Sequence, residues 1–241
     1  MTKILDGKTC FLTGASGGLG QEIAKELATH NCNLFLTGTN KEKLEKLKKN
    51  IESSINNEIK IDYEVGNLDS LKDIEKIIST TRNSFDKIDI LINSAGLFIV
   101  KSIQDSTLNE FEKSYNVNIR APFIFSKTFS EDMIKNNWGR IVNIGSSSSY
   151  SGFKNGSIYC SSKHAILGLS RTLEKELKPN NVRTYCISPG SIKTDMGKIS
   201  KDQNFETFLN PIEIAKYLVF IISFDNELIS DEIRLNRINV E

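Results

Sequence analysis

Tyr159 and Lys163 stand four residues apart, and Ser146 lies thirteen residues before the tyrosine. On a helix the first two share one face, so the ammonium lies near the phenol and favours its ionised form. Free tyrosine has a pKa near ~10, and each unit of depression takes about 1.4 kcal/mol of differential stabilisation. A cation in a dry cleft can supply several units, which would make Tyr159 a general acid or base near neutral pH. With six tyrosines in a lysine-rich chain, the spacing also arises by chance, usually as a solvated pair. Tyr150 and Lys154 show this: Gly152 falls between them and Asn155-Gly156 follows, which marks a loop. After Tyr159 the chain runs unbroken to Leu177, with Ile166, Leu167, Leu169, Leu173 and Leu177 at helical spacing.

A second constellation opens the chain. Thr13-Gly-Ala-Ser-Gly-Gly-Leu-Gly20 follows the apolar run Lys8–Leu12 and precedes the amphipathic stretch Glu22–Ala28. A strand, a tight glycine turn and a helix direct backbone N–H groups and a helix N-terminus at one anion, which suits a pyrophosphate. Gly14, Gly18 and Gly20 carry the steric requirement, while Ser16, Gly17 and Leu19 complete the candidate binding turn. The spacing is G-x-x-x-G-x-G with no Gly-Lys-Ser/Thr after it, which disfavours a nucleotide triphosphatase loop.

The elements that must position these residues repeat one rhythm. Predicted strands at 33–37, 59–65, 88–92, 140–144 and 182–187 alternate with predicted helices at 41–53, 71–84, 110–136 (broken near Pro122), 157–177 and 211–223. Such alternation predicts an α/β fold with a doubly wound parallel sheet, covered on both faces. The length of 241 residues suits a single domain over 1–241. Ligands of such sheets bind beyond the carboxyl ends of the strands, where the Gly14 turn, Asn93 and Ser146 all fall. A last strand is expected near the C-terminus, with Ile233, Leu235 and Ile238 pointing inward.

Over nearly its whole length the chain resembles the short-chain dehydrogenase/reductase family. The resemblance rests on Thr13-Gly14-x-x-x-Gly18-x-Gly20, Asn93-Ser-Ala-Gly96, Asn118, Ser146, Tyr159, Lys163 and Pro189-Gly190-x-Ile192-x-Thr194. It implies a Rossmann-like fold and hydride exchange between a nicotinamide dinucleotide and a carbonyl or alcohol. Ser146 would polarise the carbonyl, Tyr159 donate the proton, Lys163 hold the nicotinamide ribose, and Asn118 keep a proton-relay water. Asn116 competes with Asn118, and Ser146 with the three serines after it. Thr39, Asn67, Leu68, Asn93, Ala95, Gly96, Pro189, Gly190, Ile192 and Thr194 would complete the cofactor site. Asn93 reads as a sheet-bracing amide, and Thr194 also reads as a helix cap.

Departures from the family pattern bear on cofactor and substrate. Gly38 stands where an NAD-preferring member presents a carboxylate, so NADP is favoured over NAD, with Lys41 and Lys43 as the available cations. Asn67 replaces an aspartate that commonly meets the adenine. Asn137 and Asn180 fall where reductases of acyl carrier protein present basic residues near the cleft. A small polar or sugar-like ketone is therefore expected as substrate. The alternatives are 3-oxoacyl-carrier-protein reduction and a non-catalytic dinucleotide-binding regulator on the same scaffold. Family members pair the helices matching 110–136 and 157–177, so a homodimer or homotetramer is expected.

Other classes are disfavoured. His30 and His164 are too few and too distant to form a triad with Ser146. Cys10, Cys32, Cys160 and Cys186 lack metal-ligand spacing, so no metal is expected. Thirty-one basic residues against thirty acidic ones offer no footprint for nucleic acid, and no apolar run reaches membrane length. With no signal peptide read at the N-terminus, the cytoplasm is the expected compartment.

Overall fold

Residues 4–55, 58–200 and 203–238 are described by the structure, a computed structural model. Along them run β1 (Thr9–Thr13), α1 (Gly18–Thr29), β2 (Asn33–Gly38), α2 (Lys41–Ser54), β3 (Ile61–Val65), α3 (Leu71–Ser84), β4 (Ile90–Asn93), α4 (Leu108–Tyr115), α5 (Ala121–Lys135), β5 (Gly139–Ile144), α6 (Ser157–Leu177), β6 (Val182–Pro189), α7 (Pro211–Ile222) and β7 (Glu232–Leu235). The strands form one sheet in the order β3-β2-β1-β4-β5-β6-β7, with every pairing parallel.

Because both faces are covered, the central strands are apolar at successive positions rather than at alternate ones. Cys10 and Leu12 of β1, with Leu34 and Leu36 of β2, face α1, α2 and α7. Phe11 and Phe35 point the other way, into a cluster with Ile77 of α3, Phe125 and Phe129 of α5 and Leu177 of α6. Phe11 stacks on Phe35 at 5.6 Å between centroids and meets Phe129 at a tilt, 4.7 Å away. The chain order reverses between β1 and β4, and the loops leaving those two strands diverge there into a crevice.

Two expectations are corrected. The helix expected over 110–136 with a break near Pro122 is α4 and α5 joined by a wide π turn over Asn116–Arg120, so the break comes earlier than the proline, and in it the Ala121 N–H reaches back to the Asn116 carbonyl. The irregularity precedes Pro122 because a proline ring clashes with the carbonyl four residues earlier, that of Asn118, and offers it no N–H. In the last strand Ile233 is buried and Leu235 half-buried, whereas Ile238 is wholly exposed. Pairing with β6 ends at Pro189 and Leu235. Beyond it Arg237 turns aside to donate to Thr207 Oγ1 at 2.9 Å and Gln203 Oε1 at 2.8 Å.

Candidate active site

A cleft of about 580 Å³ runs along the carboxyl edge of β1, β4, β5 and β6. Its floor begins where Thr13 ends β1. The Thr13 hydroxyl accepts hydrogen bonds from the Ser94 and Ala95 N–H groups, both at 3.1 Å, which draws the loops after β1 and β4 together. Gly14 adopts φ +69°, and a β-carbon on it would sit 2.7 Å from the Ala95 nitrogen. A β-carbon on Gly20 would meet the Gly14 carbonyl, and one on Gly18 would stand 2.8 Å from Thr194 Cγ2. α1 therefore starts hard against the turn, with its N-terminal N–H groups toward the cleft and no acidic side chain in its first turn. Bare N–H groups in a positive field fit a bound diphosphate.

The reactive side chains meet at the far end. Tyr159 and Lys163 share one face of α6, and both are buried. Ser146 follows β5, and its hydroxyl accepts the Ser148 N–H at 3.1 Å, leaving its own proton free to donate. Burial pushes the Tyr159 phenol above its ordinary range, and the neighbouring Ser146 hydroxyl opposes that only in part. Burial likewise pulls Lys163 down to about 8. Its amine donates to the Ile144 carbonyl at 2.8 Å and lies 5.7 Å from the centre of the Tyr159 ring. Burial is the leading influence on the phenol in this cleft.

Of the residues expected to bind the cofactor, Gly14, Ser16, Gly17, Gly18, Leu19, Gly20, Gly96, Tyr159, Lys163, Pro189, Gly190, Ile192 and Thr194 line the cleft. Asn93, Ala95, Thr39, Asn67, Leu68 and Asn118 are not among the lining residues. Asn93 donates to Asn143 Oδ1 at 2.8 Å and braces β4 against β5. Leu68 turns its side chain into the core beside Ile74 and Ile77, while Thr39 and Asn67 are exposed near the ends of β2 and β3. Asn118 is buried behind Gly96; its amide accepts the Leu97 N–H at 2.8 Å and donates to Ser162 Oγ at 2.9 Å. Asn116 instead bonds Asp69 Oδ1 at 2.8 Å, which separates the two competing asparagines. Thr194 accepts the Gly197 N–H at 3.2 Å, so it caps a short turn while packing on Gly18.

Several positions depart from the sequence reading. Lys43 lines the cleft, whereas Lys41 is held at 3.7 Å from Glu45. A β-carbon on Gly38 would stand 2.5 Å from Ser16 Oγ, so a carboxylate there must first displace that hydroxyl. Asn137 and Asn180 precede β5 and β6, at the opposite edge of the sheet from Ser146. Six residues of β5, roughly 17–20 Å at strand rise, separate that edge from the protein's own cleft, so these positions say nothing about charge at its mouth. Tyr150 lies apart from the cleft with its hydroxyl 3.3 Å from Glu232. His164 is exposed and bonds the Cys160 carbonyl through Nδ1 at 2.8 Å. Sequence patterns did not single out Phe98, Phe153, Met196 and Gln203, which also line the cleft. They sit outside the long helices and the sheet, where no periodicity marks a side chain's direction.

Comparison with known proteins gives a consistent picture. The family described as short chain dehydrogenase matches residues 8–204. A 3-oxoacyl-(acyl-carrier-protein) reductase, FabG of Aquifex aeolicus, is 32% identical over 228 residues, covering 91% of this chain and 91% of that protein. Among solved structures, an alcohol dehydrogenase of Thermococcus sibiricus complexed with 5-hydroxy-NADP superposes with a TM-score of 0.87 at 24% identity, covering 97% of each chain. An NAD+-bound xylitol dehydrogenase gives 0.83 at 26% identity, covering 96% of this chain and 98% of that one.

The pKa of Lys163 fixes a pH window for stability. Between about 8 and the ordinary 10.5 the unfolded chain holds a proton that the folded chain has released, so stability rises with pH across that interval. Relative to Lys163→Met, the wild type should gain about 3 kcal/mol from pH 8 to 10.5, with a constant gap below pH 8. Urea unfolding of both proteins across that range measures it, and parallel curves would rule out the lowered pKa.

Proposed function

Because the chain belongs to the short chain dehydrogenase family, we propose that Ser146, Tyr159 and Lys163 interconvert a ketone and a secondary alcohol, working toward the alcohol. The protein is an NAD(P)-dependent oxidoreductase acting on carbonyl and alcohol groups. Its residues fit a dinucleotide: the glycine turn leaves backbone room for a diphosphate, and the buried Lys163 amine offers protons to ribose hydroxyls. When bound, that group supplies the hydride.

One observation carries the reading: Ser146, Tyr159 and Lys163 line one cleft, with the Ser146 hydroxyl beside a phenol whose burial favours its protonated form. A carbonyl oxygen placed between them receives two hydrogen bonds, which stabilise the negative charge developing as the carbon is reduced. Tyr159 then passes its proton to that oxygen, an alkoxide-like site far more basic than phenolate. Lys163 holds the ribose and orients the site. Asn118 supports a proton relay, since its backbone oxygen cannot receive an ordinary helical bond with proline at 122.

NADP is the preferred cofactor, because Gly38 offers no charge to repel a 2′-phosphate and Lys43 brings a cation to the cleft; NAD is the lesser one. A free ketone is the proposed substrate, because among the described residues Lys43 and Lys163 are the cations lining the cleft and form no basic patch for an acidic carrier. The similarity to the Aquifex enzyme favours a second reading, reduction of a 3-oxoacyl group on carrier protein. A purely regulatory role fits less well, because it would not need a serine, a tyrosine and a lysine converging in one dry cleft. Among the described residues no helix is long and apolar enough to cross a membrane. Four free, buried cysteines suit the reducing cytoplasm, where we place the protein. Leu108, Phe111 and Phe123 expose apolar surface around α4 and α5, which supports a homodimer or homotetramer. Light scattering tests the assembly, and a monomer at micromolar concentration would overturn it.

Tyr159→Phe should lower turnover at least ~10²-fold while NADPH fluorescence titration stays unchanged, because only the proton donor is lost. Tyr150→Phe should act like wild type. Near-normal turnover by Tyr159→Phe would sink the assignment. Lys43→Ala should weaken NADPH binding about tenfold and spare NADH, the scale of one charge-assisted contact. Equal effects on the two cofactors would show that Lys43 does not meet the 2′-phosphate.

A further inference from the structure

The wall of the cleft beside the reactive phenol is made of aromatic rings. Phe98 meets the Tyr159 ring edge-on, with centroids 4.6 Å apart and planes at 81°. Phe153 stands 6.5 Å from Tyr159 and 6.2 Å from Phe98. These separations lie within the range in which rings attract one another through edge and offset contacts. The two phenylalanines come from separate loops, and the Lys101 N–H donates to the Asn155 carbonyl at 2.8 Å to tie those loops together. Asn155 adopts φ +65°, and the following Gly156 has no side chain. A β-carbon on Gly156 would stand 2.8 Å from Phe153 Cζ, so the ring folds over a place that only glycine leaves open.

The arrangement is built, yet Phe153 is left 42% exposed, and so is Met196 of the segment after β6, another residue of the cleft. An apolar ring packed at the mouth of a cleft, wet on one face, suits an apolar group of a ligand. Charge argues the same way. Among the described residues lining the cleft, the charged side chains are Lys43, Lys163 and Asp195. Lys43 stands at the start of α2, Lys163 is bound to the Ile144 carbonyl, and Asp195 pairs with Lys198 at 2.9 Å. None of them serves a carboxylate or phosphate seated on the rings. The Ser151 hydroxyl beside the rings donates to the Ser147 carbonyl at 3.3 Å, which leaves it only its lone pairs for a ligand.

We propose that the substrate is a ketone bearing a flat apolar group, an aryl ketone, whose ring lies against Phe98 and Phe153 while its carbonyl oxygen sits between Ser146 and Tyr159. This rests on the reading of those two residues as the reacting pair, and it replaces the small polar or sugar-like ketone expected from the sequence with an apolar one. Phe153 is then a specificity-determining residue: it selects planarity without touching the reacting atoms.

The test compares 1-phenylethanone, cyclohexyl methyl ketone and a short acetoacetyl thioester, each with NADPH, on the wild type, Phe153→Leu and Phe153→Trp. Leucine keeps apolar bulk and removes the ring, whereas tryptophan restores one. The phenyl ketone should exceed its cyclohexyl analogue about tenfold in kcat/KM, with the thioester below both. Phe153→Leu should erase that advantage mainly through KM, and Phe153→Trp should keep it. Calorimetry of 1-phenylethanol binding to the NADPH-loaded protein gives a readout without turnover, with a tenfold weaker Kd expected for Phe153→Leu. Equal use of the two ketones, or a thioester preferred to both, would overturn the proposal and leave the oxidoreductase reading standing. If none of the three compounds is reduced, the reading of Ser146 and Tyr159 as a ketone-reducing pair fails, and calorimetry decides the aryl site alone: loss of binding in Phe153→Leu supports it, and unchanged binding refutes it.

Discussion

The loops that leave β1 and β4 touch backbone to backbone at Gly14 and Ala95, under a Thr13 hydroxyl that holds two N–H groups at once. That approach sets the height of the cleft floor. A side chain at Gly14 would push the loops apart and carry the start of α1 away with them, since Gly20 rests on the Gly14 carbonyl. The left-handed backbone at Gly14 belongs to the same constraint, because a residue with a β-carbon pays for that conformation in strain. Position and conformation together leave one choice of amino acid, and the anion-binding end of the cleft follows from it.

Desolvation governs the opposite end. Tyr159 and Lys163 lie on the buried face of α6, where water cannot stabilise phenolate or ammonium. Both groups are thereby displaced toward their neutral forms. A hydroxyl that keeps its proton beside a second hydroxyl is suited to receiving a carbonyl, and a weakened ammonium is suited to responding to whatever polar group is placed against it. The same dryness strengthens each hydrogen bond formed there.

How legible this was in the sequence varied with the kind of signal. The sheet was readable because strands buried on both faces must be apolar at successive positions, as in Cys10-Phe11-Leu12, and the helices because Ile166, Leu173 and Leu177 recur at helical spacing. The glycine turn was readable because steric exclusion leaves few residue types. The π turn was read only as a break at Pro122, since the sequence gives the ring's location but not which carbonyl it displaces. Asn137 and Asn180 were assigned to the cleft side, and the parallel topology puts them at the other edge. The aromatic wall left no mark, because Phe98 and Phe153 lie in loops whose directions are set by one interloop hydrogen bond and one glycine.

Arg237 fastens the segment after β6 to the edge of the sheet: it bonds Gln203 and Thr207, stacks on Phe208, and Gln203 in turn accepts the Ser191 hydroxyl at 2.8 Å. β7 is a four-residue edge strand with a neighbour on one side only, the kind of element that opens first in native fluctuations. Through Arg237, fraying of that edge reaches the cleft's outer wall.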